Sequence, residues 1–225
     1  TAIENDLSIS NNLIGMYAKC ESVLESQHVF NYVPVKNAAS WTSLIAGFAD
    51  HGLAAQALDY IESMQFEGIS PDTVIFACSL NACCILGDLD KARKKHTDIV
   101  QRGFEKDPAV GSTLVSMYAK LGAVAEAQNA FDKLRVRSVV EWTALTTGYI
   151  ECRSYKEAIK YLDLMEQDGI APNSITFICA LTAYGILEEV DKGQEIHTAI
   201  VFRGLETDLH AGNSLIGMYG RCGLL

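Results

Sequence analysis

Proline, long uncharged stretches and excess positive charge are all scarce in this sequence. Only four of the 225 residues are proline, which argues against a proline-rich linker or a low-complexity segment. The uncharged runs 73–87 and 174–187 have 15 and 14 residues, fewer than the roughly 20 apolar residues that cross a bilayer. Lysine and arginine number 18 against 28 acidic residues, so the net charge of −10 is not that of a strongly basic, non-specific nucleic-acid binder.

Signals of targeting, metal binding and catalysis are also missing. The chain starts at Thr1 without a basic or apolar leader, so we interpret it as a fragment or a processed chain. No histidine is followed two residues later by glutamate and no proline precedes a cysteine, so the zinc motif of nucleobase deaminases is absent. Phosphate-loop, zinc-protease and serine-hydrolase motifs are absent as well. We therefore expect no enzyme activity, no cofactor, no metal and no membrane association.

The seven cysteines do not form a disulfide or metal pattern. Their number is odd, and no two of them have the C-x-x-C spacing. They fall in apolar helical patterns such as 76–86 (FACSLNACCIL), where free cysteine acts as a small core residue. The sequence also lacks an Asn-x-Ser/Thr glycosylation site, so we expect a reducing compartment and free thiols.

An internal repeat with a constant offset of 101 residues is the dominant feature of the sequence. Segment 11–20 (NNLIGMYAKC) returns at 112–121 and 213–222, and GISPD at 68–72 returns as GIAPN at 169–173. Each unit divides into subunits of 31, 35 and 35 residues. The predicted subunits are 7–37, 38–72, 73–107, 108–138, 139–173, 174–208 and a partial one at 209–225, with 1–6 ending a preceding subunit.

Each subunit is predicted to form two helices. Apolar residues over 41–48 follow the i, i+3, i+4, i+7 spacing of an amphipathic helix, and a second stripe covers 57–64. Gly52 and Gly68 stand where these helices should end. Because no stretch alternates with period two and one hairpin cannot bury both of its faces, we predict an all-α fold, a right-handed α-solenoid of stacked helix-turn-helix repeats.

These segments resemble the pentatricopeptide repeat (PPR) family, in the plant PLS arrangement that alternates P, L and S repeats. The S-like signature lies at 11–20, the P-like one at 40–72 (SWTSLIAGFADHGLAAQALDYIESMQFEGISPD) and the L-like one at 73–107. The tetratricopeptide repeat is the closest alternative. However, Ile45 replaces the glycine of that motif, and alternating lengths do not suit its constant period of about 34 residues.

The resemblance implies that the first helices line a groove for single-stranded RNA and that each repeat contacts one base. The fifth and the last residue of each repeat would then contact the base edge. The implied base-recognition pairs are Asn11 with Asn37, Thr42 with Asp72, Ser112 with Ser138, and Thr143 with Asn173, and Asn213 opens an incomplete pair. The weaker L-like pairs are Ala77 with Asp107 and Ile178 with Asp208, and the residues implied to sandwich the bases are Ser8, Ala39, Ala109 and Val140.

The family code implies a base preference of pyrimidine–G–n–n–A–n, from 5′ to 3′. Thr with Asp favours G because a carboxylate accepts hydrogen bonds from guanine, Thr with Asn favours A, and Asn with Asn favours a pyrimidine. An alternative explanation exists for the closing residues: all six are Asn, Asp or Ser, which are preferred helix N-caps. Both roles can coexist. The fifth residues can likewise face solvent, and Trp41 and Trp142 are expected in the core rather than stacked on bases.

The resemblance also implies partners and a compartment. It suggests the specificity module of an RNA-processing factor in the mitochondrion or chloroplast, chiefly for C-to-U editing, with single-stranded RNA as the ligand. Editing-factor proteins of the MORF type are implied partners of the L-like subunits 73–107 and 174–208. The acidic charge keeps a second hypothesis open, a protein-binding helical-repeat scaffold without RNA readout. The one dense basic run, 91–95, falls on a predicted second helix away from the groove.

Overall fold

The computed structural model describes residues 7–224, and within that range it is entirely helical, without strands. No helix in the range is both long and apolar enough to cross a bilayer. Residues 1–6, predicted to end a preceding subunit, lie outside the described residues. The helices are α1 (Leu7–Lys19), α2 (Val23–Tyr32), α3 (Ala38–Asp50), α4 (Ala54–Phe66), α5 (Thr73–Leu86), α6 (Leu89–Gln101), α7 (Pro108–Lys120), α8 (Val124–Lys133), α9 (Val139–Glu151), α10 (Tyr155–Gln167), α11 (Ser174–Leu187), α12 (Val190–Phe202) and α13 (Leu209–Arg221), with a 3-10 turn at Phe104–Lys106.

The helix boundaries repeat at the same interval as the sequence. Each helix from α7 to α12 begins and ends 101 residues after its counterpart among α1 to α6, and α13 repeats α7 at the same distance. The odd-numbered helices, called first helices here, have 13 or 14 residues. The even-numbered second helices have 10 residues in α2 and α8 and 13 elsewhere. The 31-residue subunit is therefore shorter partly because its second helix is shorter. The assignment of the subunits to the S, P and L types remains a prediction.

The chain divides into two compact units, Thr1–Met117 and Tyr118–Leu225. In the first unit, α1 packs on α3 and α3 packs on α5, while the second helices α2 and α4 each contact the first helices on both sides. In the second unit, α9, α11 and α13 pack in the same sequence, and α10 and α12 contact the first helices next to them. Within each unit, neighbouring hairpins thus pack against one another, as stacked repeats require.

The two tryptophans are core residues, as predicted. Trp41 is 3% exposed, and its ring meets that of Phe30 edge-on at 4.8 Å between centroids. Trp142 is 2% exposed and meets Phe131 in the same way at 4.7 Å. Edge-to-face packing is a preferred geometry of aromatic pairs. These indole rings are therefore occupied in the core rather than presented to a ligand.

Glycines set both the helix ends and the spacing of the first helices. Gly52 and Gly68 have φ of +71° and +79°, which confirms that they end α3 and α4 in the left-handed region. Inside α3, a Cβ added at Gly47 would lie only 2.5 Å from the Cβ of Ala18 on α1. The missing side chain lets α1 and α3 approach closely near their C-terminal ends.

The cysteines occupy two kinds of environment, and all seven are free thiols. Cys78, Cys83 and Cys179 are buried in α5 and α11, as predicted for small core residues. The prediction was wrong for Cys20 and Cys152, which are exposed. Both follow the last residue of a first helix, where the chain turns at the surface.

Candidate nucleic-acid interface

An open groove of about 720 Å³ lies between the first helices α1 and α3. It is lined by Asn11 on α1 and Thr42 on α3, which are the fifth residues of their predicted subunits. Lys19 and Asp50 add one charge of each sign to its walls. The other lining residues are small or uncharged, namely Asn12, Gly15, Met16, Ala18, Cys20, Ser43, Ala46 and Gly47. Amides and a hydroxyl at the wall of such a groove suit hydrogen bonding to a base edge, whereas a single lysine supplies little attraction for phosphates.

The structure brings the predicted pair Asn11 and Asn37 together. Nδ2 of Asn11 donates a hydrogen bond to Oδ1 of Asn37 at 3.3 Å. The hydroxyl of Ser40 donates to Oδ1 of Asn11 at 2.6 Å, so a third side chain belongs to the same cluster. Asn11 is half-buried and Asn37 is exposed. The pair is therefore ordered by its own hydrogen bonds and still open to a ligand on one side.

The pair Thr143 and Asn173 is also brought together. Nδ2 of Asn173 donates to Oγ1 of Thr143 at 3.3 Å. The hydroxyl proton of Thr143 is already used, because Oγ1 donates to the carbonyl oxygen of Val139 at 2.6 Å. Thr143 is 8% exposed, so the exposed polar part of this pair is mainly the amide of Asn173.

In the third predicted pair, no hydrogen bond joins Oγ1 of Thr42 to Asp72. One carboxylate oxygen of Asp72 accepts the backbone N–H of Ile75 at 2.9 Å, while the side chain remains exposed. Oγ1 of Thr42 is enclosed and has no hydrogen-bond partner among residues 7–224. A buried hydroxyl without a partner is uncommon in folded proteins. This corner therefore has an unpartnered hydroxyl, whereas a hydrogen bond joins the two side chains in each of the other two pairs.

The fourth pair, Ser112 and Ser138, is divided between the two units. Ser112 lies on α7. Ser138 caps α9: its Oγ accepts the N–H of Val140 at 3.2 Å and donates to Oε2 of Glu141 at 2.7 Å. The hydroxyl proton of Ser138 is therefore committed to a carboxylate.

The remaining candidates differ in exposure. Ala77 and Ile178, the fifth residues of the L-like subunits, are half-buried on α5 and α11 and carry no polar side-chain atom. Asn213 is exposed on α13. The residues predicted to sandwich the bases are all exposed near the starts of first helices, namely Ser8, Ala39, Ala109 and Val140. Their exposure leaves them accessible, and their contact with bases stays a prediction.

Every closing residue caps a first helix, as the alternative explanation held. Five of them accept a backbone N–H from the residue three positions later at 2.8–3.1 Å, and Ser138 accepts one from two positions later. The five are Asn37, Asp72, Asp107, Asn173 and Asp208. A cap uses one oxygen and leaves the second polar atom of Asn or Asp free to meet a ligand. Capping therefore fixes the side chain in place without occupying all of it.

The titratable groups around the groove do not point to catalysis. Burial, together with the nearby Asp50 and Asp72 carboxylates, raises the pKa of the Cys78 thiol to about 11, so the thiol is protonated at neutral pH. Within residues 7–224, no group of three or more His, Cys, Asp or Glu side chains is arranged to hold a metal ion. The chemistry that the groove offers is hydrogen bonding.

The basic run lies outside the groove, as predicted. Lys91, Arg93 and Lys94 are exposed on the second helix α6. Acidic neighbours on the same helix end, Asp88 and Asp90, lie 3.9 Å from Lys91 and Arg93. Since α6 supplies none of the residues that line the groove between α1 and α3, this charge lies on a solvated face.

The sequence interpretation missed three residues of this region: Ser40, Lys19 and Asp50. Ser40 forms a reciprocal capping box with Asn37, but the usual sequence signal of that motif has Glu or Gln where this chain has Ser40. Lys19 and Asp50 end their helices and line the groove. The sequence offers no comparable local signal for them, because the approach of α1 to α3 brings them to one wall.

The sequence of this chain resembles those of known repeat proteins. Residues 39–69 match the family model of the PPR repeat, and residues 131–186 match that of the pentatricopeptide repeat domain. Pentatricopeptide repeat-containing protein At2g33680 of Arabidopsis thaliana is 32% identical over 97% of this chain. The chloroplastic At1g11290 and the mitochondrial At3g09040 of the same plant are 32% and 29% identical over 96% and 99% of it. The chain spans only 30%, 27% and 22% of these three relatives.

A solved structure has the same fold. The pentatricopeptide repeat protein PPR10, in complex with an 18-nucleotide psaJ RNA element, aligns with a TM-score of 0.83 at 17% identity. The alignment covers 98% of this chain and 33% of PPR10. The predicted fold class, an all-α solenoid of stacked helical hairpins, is thereby confirmed.

Proposed function

Because the chain belongs to the pentatricopeptide repeat family, we propose that it binds single-stranded RNA in a sequence-specific manner, with one base for each repeat. In this proposal the chain is the specificity module of an organellar RNA-processing factor. The processing reaction is C-to-U editing, with catalysis supplied outside these 225 residues. The subunits follow the S, P and L order from residue 7 onward.

The pairing of fifth and last residues carries the proposal. Asn11 lies 3.3 Å from Asn37, and Thr143 lies 3.3 Å from Asn173, although 26 and 30 residues separate them in sequence. The two pairs place polar corners beside the first helices α1 and α9. A splayed base that meets two polar side chains is the recognition mode of repeat proteins that bind RNA.

The relatives support the ligand and the compartment. PPR10 has the same fold and was crystallised with an RNA element, and relatives of this chain are named chloroplastic or mitochondrial. We extend both properties to this chain as part of the proposal. The L-like subunits 73–107 and 174–208, whose fifth residues Ala77 and Ile178 lack polar atoms, are the proposed contacts for MORF-type proteins.

Filter binding of the 225-residue chain to short single-stranded RNA tests the proposal. We expect the tightest binding for an RNA carrying pyrimidine–G–n–n–A–n, with weaker binding when G is replaced by A at the second base. Measurements at two salt concentrations should show a shallow dependence, because the groove between α1 and α3 contains one lysine. A double-stranded RNA of the same sequence serves as the control.

A protein-binding scaffold is the competing function, and the net charge of −10 favours it. It predicts no complex with any pool of single-stranded RNA, even at low salt. That result would reject RNA recognition by this chain. A complex of equal affinity with all sequences would reject the base-reading pairs while keeping RNA as the ligand.

A further inference from the structure

Ser40, the third residue of α3, is the hub of the Asn11–Asn37 cluster. Its side chain is fully buried. Its Oγ lies 2.6 Å from Oδ1 of Asn11, 3.0 Å from Oδ1 of Asn37 and 3.3 Å from the backbone nitrogen of Asn37. A hydroxyl has one proton to donate, and the shortest contact identifies its acceptor as Asn11. Ser40 also accepts the N–H of Asn37, so both of its functions are used.

This arrangement determines which way the amide of Asn11 faces. With Oδ1 held by Ser40, the Nδ2 group of Asn11 must turn toward Oδ1 of Asn37, where it donates at 3.3 Å. Oδ1 of Asn37 is fixed in turn by the backbone N–H of Ser40 at 3.0 Å. An amide has two N–H groups, so each asparagine retains a donor that its neighbours do not use in this cluster. Without the Ser40 hydroxyl, a half-turn of the Asn11 amide would exchange its donor and acceptor.

We propose that Ser40 is a positioning residue for base recognition, because its hydroxyl fixes the orientation of the Asn11 amide and makes this corner a hydrogen-bond donor. A donor corner complements the acceptor atoms on the edge of a pyrimidine. The inference rests on the proposed RNA-binding function and extends it to a residue of the following subunit, 38–72.

The equivalent residue in the second unit supports the same rule. Glu141 follows Ser40 by 101 residues and also occupies the third position of a first helix. Its Oε2 accepts both the N–H and the hydroxyl of Ser138 at 2.7 Å. Ser138 therefore has no proton left for a base and presents an acceptor. In both units, the third residue of the first helix determines whether the neighbouring corner offers a base a donor or an acceptor. The corner beside Ser40 offers a donor, and Ser138 beside Glu141 offers an acceptor.

Binding of RNAs that differ only at the first base tests the proposal. The unsubstituted chain should prefer a pyrimidine over a purine there by about fivefold or more, the range of a well-placed polar contact. Ser40→Ala should reduce this ratio to less than about twofold. Ser40→Thr should retain it, because Thr keeps the hydroxyl. The preference at the second base, which Thr42 and Asp72 determine, is the internal control and should not change in either variant.

Nuclear magnetic resonance of the free chain separates orientation from stability. The side-chain amide protons of Asn11 and Asn37 should be protected from solvent exchange in the unsubstituted chain and in Ser40→Thr, whereas in Ser40→Ala their resonances should shift and their exchange should be faster. An unchanged first-base ratio in a folded Ser40→Ala chain overturns the role of Ser40 and leaves the proposed function standing. If the unsubstituted chain binds no RNA selectively, the proposed function fails, and unchanged amide resonances in Ser40→Ala would separately reject the positioning role.

Discussion

The corners Thr42–Asp72 and Thr143–Asn173 occupy equivalent places in the two units but differ in their hydrogen bonds. In the second unit, the amide of Asn173 donates to Thr143, and Thr143 donates to the backbone. In the first unit, the Asp72 carboxylate accepts the backbone N–H of Ile75, and Oγ1 of Thr42 is unpartnered among the described residues. A carboxylate in place of an amide thus leaves a corner that can accept hydrogen bonds from a ligand, whereas the amide of Asn173 uses one of its two donors on Thr143.

The backbone around these corners is the same in both units. The helices that follow the closing residues, α5 and α11, have 14 residues each, and both closing side chains accept the N–H three positions later. The difference therefore lies in the side-chain chemistry rather than in the fold. A repeat code is physically possible because the backbone stays the same from unit to unit while the side chains at the corners differ.

Disturbing the shared scaffold should have the largest effect. Gly47→Ala places a Cβ 2.5 Å from that of Ala18, so α1 and α3 must move apart. We expect the free energy of unfolding to fall by about 1–3 kcal/mol, as in other overpacked cores. Gly148→Ala meets Ala119 at 3.0 Å and should cost less. Urea denaturation of each variant measures these losses.

Gly15→Ala is the matched control for this prediction. It adds a Cβ inside α1 whose nearest neighbour is Oγ of Ser43 at an ordinary 3.9 Å. Alanine is the better helix former by about 1 kcal/mol, so this variant should be at least as stable as the unsubstituted chain. If Gly47→Ala proved equally stable, the close approach would not set the spacing of the first helices.

Exchanging the closing residues should exchange the base preferences. Asp72→Asn should move the preference at the second base from G to A, and Asn173→Asp should move that at the fifth base from A to G. Each good polar pair contributes about 1–3 kcal/mol to discrimination, so the change should be at least fivefold. Filter binding with four RNAs that vary each base measures it. Both substitutions keep a cap acceptor, so thermal stability should change little, and an unchanged preference in a stable variant would reject the assignment.

The stability of the two units should depend differently on alkaline pH, because a different buried titratable side chain lies in each of them. Burial is the main reason that the pKa of Cys78 rises to about 11 and that of Tyr184 to about 12. A group that keeps its proton in the folded state but loses it on unfolding stabilises the fold below its unfolded pKa, near 9 for the thiol and 10 for the phenol. Stability should therefore fall between about pH 9 and 11 through Cys78, and between about pH 10 and 12 through Tyr184.

Two variants test which side chain causes the loss of stability in each of these pH ranges. Each group contributes a slope of at most about 1.4 kcal/mol per pH unit to the free energy of unfolding. Cys78→Ala should reduce the decline that begins near pH 9, to which Cys83 and Cys179 also contribute, whereas Tyr184→Phe should leave that decline intact and reduce the one above pH 10. Denaturation curves across this range measure both slopes. Identical slopes in all three proteins would mean that neither group changes its pKa on folding.

The sequence was sufficient for the helical scaffold because each helix signal is local. Gly52 and Gly68 end helices where the pattern placed them, and Trp41 lies in the core that its stripe predicted. The groove depends instead on contacts between helices. The close approach of α1 to α3 at Gly47 is a property of the packed structure. The same holds for the hydrogen bond that the Ser40 hydroxyl donates to Asn11. Local spacing cannot specify them.

The smallest effect is expected from the charge difference between α6 and α12. Lys94 on α6 corresponds to Glu195 on α12, so Lys94→Glu gives the first unit the residue of the second. Because α6 contributes no residue to the groove between α1 and α3, RNA affinity should change by less than about twofold. Lys19→Gln, within the groove, should weaken binding and lower the salt slope by about 0.7, the value for one phosphate contact on a single strand. An equal loss in both variants would place the RNA backbone near the second helices and contradict the groove as its path.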